Sequence, residues 1–135
     1  MVVLGEVDDP PPGIEAASGD VELRYAAGTD ELIELAPRAD AVYFWRADRD
    51  QLPSAWSRLE RLRWIQSASA GVDLLLFPAL VESDVEVTNA RGVFDESIAE
   101  WVAAMLLAFT TDTLRTLSLQ RLQRWEHRET RRLAG

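Results

Sequence analysis

A short turn of small residues, Ser69 to Val72, is the part of the sequence best suited to bind an anion. Consecutive backbone N–H groups of such a turn point the same way, and small side chains let a carboxylate approach them closely. A helix beginning at Asp73 would add the positive end of its dipole. The turn alone is weak evidence, because glycine-containing turns between a strand and a helix are common.

Other kinds of catalytic chemistry have little support in the sequence. The chain has no cysteine, which excludes thiol catalysis and Cys-based zinc sites. Its single histidine, His127, lies among charged residues on a predicted late helix, where a surface histidine is the simpler interpretation. No G-x-G-x-x-G motif is present, so no site for a dinucleotide pyrophosphate can be assigned. We therefore assign no catalytic residue and no metal ligand.

The elements that would position the turn alternate between strand and helix patterns. Five short runs rich in β-branched and aromatic residues predict strands, at 2–4, 21–25, 41–45, 63–66 and 85–88. Helices are predicted to be capped by Thr29 or Asp30 and by Asp50, and a third would carry Leu75 and Leu80. A proline-rich loop at 8–13 follows the first strand, and a weak helix at 14–18 follows the loop.

This alternation predicts an α/β fold, a flavodoxin-like doubly wound parallel sheet of about five strands, because right-handed crossovers place helices on both faces. The last third of the sequence does not follow this alternation. From Ser97 to Phe109 the chain is apolar nearly all round, so this long C-terminal helix needs burial on two sides and should pack against something else. We predict one domain over residues 1–100, and a long helix and linker over 97–135.

Composition limits the partners and the cellular location. The net charge of −9 argues against nucleic acid or an anionic membrane, since phosphates must be met by clustered cations. No apolar run is long enough to cross a bilayer, and the N-terminus lacks a basic flank, so a cytoplasmic protein is predicted. All 14 basic residues are arginine. This bias and the acid excess indicate a salt-adapted or GC-rich source, of which we favour the halophilic one.

Three motifs in order resemble the substrate-binding domain of the D-isomer-specific 2-hydroxyacid dehydrogenases. They are the run from Leu62 to Asp73, the run from Val87 to Gly92, and Ser97-Ile98-Ala99-Glu100. Arg124-Trp125 and the closing Arg132-Leu133-Ala134-Gly135 are similar to the stretch that leads into the nucleotide-binding domain of that family. The resemblance is strongest from Leu62 onward and only architectural before it.

The resemblance implies where a substrate would bind. The backbone of Ala70, Gly71 and Val72 would hold the carboxylate of a 2-oxo or 2-hydroxy acid. Trp45 and Arg46 would line the substrate side, as Trp or Arg do in the glyoxylate and hydroxypyruvate reductase branch. A core tryptophan and a solvated arginine remain open as the plainer interpretations of these two residues.

The resemblance also implies a cofactor and a second domain. Asn89 and Arg91 would lie at the mouth of the cleft, while Ser97 and Glu100 would face the nicotinamide half of NAD or NADP. The family supplies its catalytic arginine, acid and histidine from a nucleotide-binding domain and the segment after it. None of these is present, so we expect a truncated piece that binds no cofactor, catalyses no reaction alone, and dimerises through its bare C-terminal helix.

Two alternatives use the same fold differently. A receiver-like phosphoacceptor domain would keep paired acids after its first strand, where this chain has Asp8 and Asp9, and would bind magnesium there. It would also need a lysine after the fifth strand, which the chain lacks, and Asp48 falls too far beyond the third strand. The other alternative is a stand-alone small-molecule-binding or self-associating module.

Overall fold

A five-stranded parallel sheet in the order β2-β1-β3-β4-β5 forms the centre of the computed structural model, which describes residues 1–17 and 19–134. The strands are Val2–Leu4 (β1), Arg24–Ala26 (β2), Ala41–Phe44 (β3), Trp64–Ser67 (β4) and Glu86–Thr88 (β5). Each pairs in parallel with its neighbours. The predicted doubly wound α/β fold is therefore confirmed, and each predicted strand has an observed counterpart.

The strand limits differ from the sequence prediction where pairing decides them. The second strand begins at Arg24 rather than Val21, because β1 supplies only three partners and Val2 is opposite Arg24. The third strand ends at Phe44, whose partner Ser67 is the last residue of β4, so Trp45 lies just beyond the sheet. The apolar runs therefore predicted where the strands lie, and the pairing with neighbouring strands determines where each strand begins and ends.

In the described part of the chain, five α-helices connect and follow the strands, namely Thr29–Leu35 (α1), Gln51–Ala55 (α2), Pro78–Val81 (α3), Asp95–Thr110 (α4) and Thr113–Arg121 (α5). Short 3₁₀ segments lie at Ile14–Ala17, Ala36–Arg38 and Trp56–Arg58. Gly28, not Thr29 or Asp30, occupies the cap position of α1. Asp50 occupies that of α2 without a side-chain cap hydrogen bond. The predicted helix at 14–18 is thus a 3₁₀ turn, and Ser18 lies outside the described residues.

Two helix predictions were wrong. No helix begins at Asp73. A single turn forms instead, in which the carbonyl of Val72 accepts the N–H groups of Leu75 and Leu76 at 2.9 and 3.0 Å, and α3 begins only at Pro78. Proline suits a first helical turn, where its missing N–H costs nothing. His127 lies beyond α5 in a segment without helix, so the late helix ends earlier than predicted.

The core of the sheet unit is aliphatic. Leu4, Leu32, Leu52 and Ile65 are completely or almost completely buried, and they belong to one cluster of buried residues from the strands and from α1 and α2. Burial of each such side chain contributes about 1.5–3 kcal/mol relative to exposure. The polar Gln51 is buried with them, and its Nε2 donates to the carbonyl of Ala26 at 3.3 Å. This cluster packs β1, β3 and β4 together and so holds in place the strand ends from which the site loops begin.

The chain divides into two compact units, Met1–Gly92 and Val93–Gly135, with Gly135 outside the described residues. The second unit holds α4 and α5, and none of its described residues is buried. No single helix within 1–17 and 19–134 is long and apolar enough to span a bilayer. Only α4 and α5 taken together pass that length and composition criterion, and they are bent by 65°.

Polar contacts close the second unit. The chain after α5 returns along it, and Arg128 forms an ion pair with Asp112 and donates from Nη2 to the hydroxyl of Thr116 at 2.5 Å. Arg115 and Glu126 form a second ion pair, at 2.6 Å. The Arg128 side chain is only 16% exposed, and its Nε has no hydrogen-bond partner among the described residues. This unit is therefore held by charge rather than by an apolar core.

Shortening Ile65 tests the core assignment. The side chain is fully buried at the centre of β4, so Ile65→Ala should lower the free energy of unfolding by about 2–5 kcal/mol. Urea denaturation followed by circular dichroism measures this change. Val81→Ala is the matched control, because Val81 is 66% exposed and its loss should change stability by less than about 0.5 kcal/mol. A loss below about 1 kcal/mol for Ile65→Ala would contradict the assignment.

Candidate functional site

The loops that leave β1, β3, β4 and β5 all begin at one edge of the sheet, because every strand pair is parallel. The chain leaves β1 for β2 on one side, while β3 pairs with the other side of β1. Open α/β sheets bind ligands in the crevice at such a reversal of strand order, outside the carboxyl ends of the strands. The loops after β1 and β3 line this crevice, with the loop after β4 beside them.

The predicted anion-binding turn directly follows β4 and is anchored on both sides. The N–H of Ala68 donates to the carbonyl of Phe44 at the end of β3, at 3.0 Å. The N–H of Ser69 donates to the hydroxyl of the buried Ser67 at 3.2 Å. On the other side, the carbonyl of Ser69 accepts the N–H of Ala90 at 3.1 Å. The turn is therefore held between the ends of β3 and β5.

The next three backbone N–H groups are free. Those of Ala70, Gly71 and Val72 donate no hydrogen bond to any part of the chain that the structure describes. Ala70 and Gly71 are exposed and Val72 is half-buried. A Cβ added at Gly71 would meet only the Asp73 carboxylate, at 3.0 Å, so the space beside this glycine is otherwise open. Three consecutive unsatisfied donors with little side-chain cover suit a carboxylate ligand.

Asn89 is part of the turn's support. Its Nδ2 donates to the carbonyl of Ala70 at 2.7 Å, and its Oδ1 accepts the N–H of Arg91 at 3.3 Å. The sequence interpretation placed Asn89 and Arg91 together at the mouth of a cleft, and the structure brings both to the turn's β5 side. The Arg91 side chain is exposed and forms no ion pair within the described ranges. It is an unpaired cation two residues after Asn89, the residue whose side chain binds the turn.

Trp45 and Arg46 form a compact group with Asp9 from the loop after β1. The Trp45 indole N–H donates to the Asp9 carbonyl at 3.1 Å, and Arg46 Nε lies 2.8 Å from the Asp9 carboxylate. The guanidinium carbon lies 5.5 Å from the centre of the Trp45 ring, within cation–π range. The backbone N–H of Arg46 donates to the carbonyl of Leu4 at 2.8 Å. Neither residue is a core side chain, so the plain core interpretation of Trp45 was wrong.

Gly5 permits this approach of Trp45. Its φ is +153°, and a Cβ at that position would lie 3.2 Å from Cδ1 of the Trp45 ring, which is tighter than most real contacts. The N–H of Gly5 also donates to the carbonyl of Ala26 at 3.0 Å. The loop after β1 can therefore fold back over the end of β3.

Ser97 and Glu100 lie in the second unit, which is described by itself. They are exposed residues of α4, which begins two residues before Ser97, at Asp95. The hydroxyl of Ser97 donates to the carbonyl of Phe94 at 3.0 Å. The predicted cofactor-facing pair is thus on one helix, and its placement against a cofactor stays a prediction.

Sequence reasoning missed the roles of two residues. Asp9 was considered only as a magnesium ligand, whereas its carboxylate is paired with Arg46. Ser67 entered as part of the run from Leu62 to Asp73, yet its buried hydroxyl accepts the N–H of Ser69 and so supports the turn. Its position at the end of β4, three residues before the first free donor, was the available signal. Across 1–17 and 19–134, no group of three or more His, Asp or Glu residues could hold a metal ion.

A cavity of about 670 Å³ lies at the opposite edge of the sheet and does not belong to this site. It is lined by residues at the amino ends of the strands, among them Val2, Arg24, Ala41 and Trp64. The N–H groups of the turn are at the carboxyl edge instead. Position relative to the strand ends, rather than cavity size, therefore identifies the candidate site.

The family comparison agrees with the sequence motifs. Residues 2–130 match the family model described as "D-isomer specific 2-hydroxyacid dehydrogenase, catalytic domain". Among solved structures, the chain is similar to a D-isomer specific 2-hydroxyacid dehydrogenase family protein from Klebsiella pneumoniae 342, with 28% identity and a TM-score of 0.71. That match covers 98% of this chain and 41% of the Klebsiella chain. A search of curated proteins gives no significant match.

Two more distant structures support the fold. A D-isomer specific 2-hydroxyacid dehydrogenase family protein from Aeromonas salmonicida is 22% identical with a TM-score of 0.73, over 96% of this chain and 42% of that one. D-lactate dehydrogenase from Aquifex aeolicus, complexed with NAD and lactic acid, is 19% identical with a TM-score of 0.72, over 96% and 39%. The chain thus spans about two fifths of the length of these solved structures.

Removing the Asn89 side chain should loosen the turn. Asn89→Ala deletes the hydrogen bond to the Ala70 carbonyl, so we expect lower ¹H–¹⁵N heteronuclear NOE values at Ala70 and Gly71 and a stability loss of about 1 kcal/mol. Arg91→Ala is the control, because that side chain forms no ion pair in the described part of the chain. Unchanged NOE values in Asn89→Ala would show that the turn is held without this side chain.

Proposed function

The chain belongs to the D-isomer specific 2-hydroxyacid dehydrogenase family, and on that premise we propose that it is the substrate-binding domain of an NAD(P)-dependent oxidoreductase. The parent reaction would interconvert a 2-oxoacid and a D-2-hydroxyacid. The resemblance read from the sequence motifs is confirmed at the level of the family. The solved Aquifex relative, which is complexed with NAD and lactic acid, is consistent with this reaction class.

The observation that carries the proposal is the set of three free N–H groups at Ala70, Gly71 and Val72. A 2-oxoacid always presents a carboxylate, and a carboxylate is acceptor-only, with two oxygens that can take several N–H donors. Hydrogen bonds to an ionised acceptor are shorter and about twice as strong as neutral ones. The turn therefore provides a substrate anchor that does not require a charged side chain.

The neighbouring side chains would orient the rest of the substrate. Trp45 and Arg46 stand at the end of β3, the strand paired with β4, and present an aromatic ring and a cation. Asn89 holds the turn, and Arg91 adds positive charge on the β5 side. We propose that these residues receive a small polar 2-oxoacid of the glyoxylate and hydroxypyruvate class.

A partner domain would complete the chemistry. The sequence contains no G-x-G-x-x-G motif, so the residues of this chain do not fit a dinucleotide, and we assign it no cofactor. The exposed His127 lies in the second unit, beyond α5, and is not assigned as the proton donor. We propose that a nucleotide-binding domain supplies NAD or NADP and the catalytic groups, with Ser97 and Glu100 of α4 facing the nicotinamide. This chain would bind and orient the substrate.

A second proposal concerns α4. Its apolar side chains are largely exposed, with Trp101 64%, Met105 46% and Phe109 83% accessible. An apolar helix face of this kind is typical of an interaction surface. We propose that it packs against the nucleotide-binding domain in the parent protein, and that two copies of the chain associate through it when that domain is absent.

The composition supports two broader proposals. An excess of acids, with arginine as the only basic residue type besides one histidine, fits a salt-adapted source. The net charge of −9 disfavours nucleic acid and anionic membranes as partners, and we propose a cytoplasmic protein whose partners are small acids.

Gly71→Ala tests carboxylate binding at the turn. A methyl group there meets only the flexible Asp73 side chain, so stability should change by less than about 1 kcal/mol. It would nevertheless stand beside the three donors and should weaken binding of glyoxylate to the chain at least tenfold, as measured by NMR titration of the Ala70 to Val72 amides. Gly28→Ala is the matched control, since Gly28 lies before α1 with nothing within 4 Å of an added Cβ.

Two results would contradict the proposal. Equal glyoxylate affinity in the unmodified chain and in Gly71→Ala would show that the turn does not hold the carboxylate. Oxidation of NADH in the presence of glyoxylate by the purified 135-residue chain would show that its catalytic groups are not supplied by a partner domain.

Charged substitutions on α4 test the self-association. The double variant Trp101→Glu with Met105→Glu should raise the dimer dissociation constant at least tenfold in sedimentation velocity at moderate salt, because two charges would have to be buried. Gln120→Glu on α5 is the control and should leave association unchanged. Sedimentation of the unmodified chain as a single monomeric species at high concentration would contradict the proposal.

A further inference from the structure

The ion pair between Asp9 and Arg46 bears on which acid the site selects. The two residues belong to different loops, after β1 and after β3, and they face each other at the crevice where strand order reverses. The pair joins Nε of Arg46 to Oδ2 of Asp9 at 2.8 Å. The terminal nitrogens of Arg46 make no hydrogen bond or closer ion pair with the rest of the described chain. Arg46 is thus neutralised by a single ion pair.

Asp9 is itself fixed by a bond that does not depend on its charge. Its backbone carbonyl accepts the Trp45 indole N–H at 3.1 Å, and the Arg46 guanidinium lies over the same indole ring. The carboxylate is therefore held next to Arg46 even though the side chains of Asp9 and Arg46 are 50% and 64% exposed. An exchange of Asp9 for asparagine would keep this backbone contact.

The other charges of these loops do not offset Asp9. The loop after β1 also carries Glu6 and Asp8, and the loop after β3 carries Asp48, Arg49 and Asp50. The free Arg91 stands on the β5 side of the turn. On the β3 side, Arg46 is the cation nearest in sequence to the strand end, and Asp9 already neutralises it. A second negative charge on a substrate would gain little there.

We propose, resting on the carboxylate site inferred above, that Asp9 is a specificity-determining residue. By pairing with Arg46, it neutralises the cation that stands next to the end of β3. It thereby favours 2-oxoacids with a single carboxylate and an uncharged remainder over those with a second carboxylate. Without Asp9, the guanidinium of Arg46 is available to bind that second carboxylate.

The effect is modest because the pair is part-exposed and in contact with solvent. Two unit charges about 4 Å apart in a water-like medium interact strongly enough to change an equilibrium constant by about fivefold. The interaction is screened by salt, since the Debye length falls from about 10 Å at 0.1 M to about 3 Å at 1 M. The selectivity that Asp9 provides should therefore fade at high ionic strength.

The experiment compares two ligands of equal chain length on the 135-residue chain. Dissociation constants of 2-oxopentanoate, with one carboxylate, and 2-oxoglutarate, with two, are measured by NMR titration at 0.05 M salt. Asp9→Asn should shift the ratio of the two constants about fivefold toward 2-oxoglutarate, and the shift should fall below twofold at 1 M salt. Asp9→Ala should shift the ratio in the same direction. The Trp45 indole resonance reports whether the loop keeps its place.

Two comparisons show whether Asp9 acts through Arg46. Asp8→Asn removes the same charge from the same loop, but Asp8 has no ion pair among the described residues, so its shift should stay below twofold. In the R46Q background, D9N should likewise shift the ratio less than twofold, so that the double-mutant cycle shows coupling.

The outcomes separate this inference from the proposed function. Binding of 2-oxopentanoate with an unchanged ratio in Asp9→Asn would overturn the inference and leave the carboxylate site standing. An equal shift in Asp8→Asn, or an undiminished shift in the R46Q background, would also overturn it, because the effect would then be the net charge of the loop. Failure of both ligands to bind the unmodified chain would overturn the carboxylate site and the inference together.

Discussion

The parallel register of β3 with β1 and β4 is the constraint on which the rest of the first unit depends. Leu4 is opposite Phe44, and Phe44 is opposite Ser67, so the three strands end level with one another. Backbone hydrogen bonds continue this register one residue beyond the sheet, from Arg46 to Leu4 and from Ala68 to Phe44. Loops from distant parts of the sequence consequently start side by side. A shift of one residue would turn Ile65 out of the core and move the turn away from Trp45.

The contacts that hold the turn in place leave its backbone N–H donors free. Ser67 binds Ser69, Asn89 binds the carbonyl of Ala70, and neither takes the N–H groups that follow. Donors in a fixed turn require little reorganisation when an anion binds, which is the advantage of a preorganised site. Arg46 is similar, because Asp9 contacts its Nε and leaves the two terminal nitrogens unbonded. In the function proposed above, the backbone donors would anchor any carboxylate, and the side chains around them would discriminate between acids.

Local chemistry explains what the sequence could predict. The strands were predictable because runs such as 2–4 and 41–44 are β-branched or aromatic, and the turn because glycine and small residues follow a strand. The three-motif pattern also identified the family, which composition alone could not have done. The contacts between Asp9 and Trp45, 36 residues apart, and between Ala70 and Asn89, 19 apart, depend on tertiary register. The same applies to helix ends such as the turn at Val72, where short-range capping signals pointed to a longer helix.

The polar closure of the second unit has a consequence for how the chain responds to its solvent. The first unit rests on a buried aliphatic cluster, which excluded salts such as sulfate strengthen by favouring burial of apolar surface. The second has no buried described residue and is closed by Arg128 with Asp112 and by Arg115 with Glu126, contacts that mobile ions weaken. A rising sulfate concentration thus acts on the two units in opposite directions. In such a solution the sheet unit is stabilised while the ion pairs of the second unit weaken, which leaves the charged groups of Arg115, Glu126 and Arg128 available for contacts with a partner.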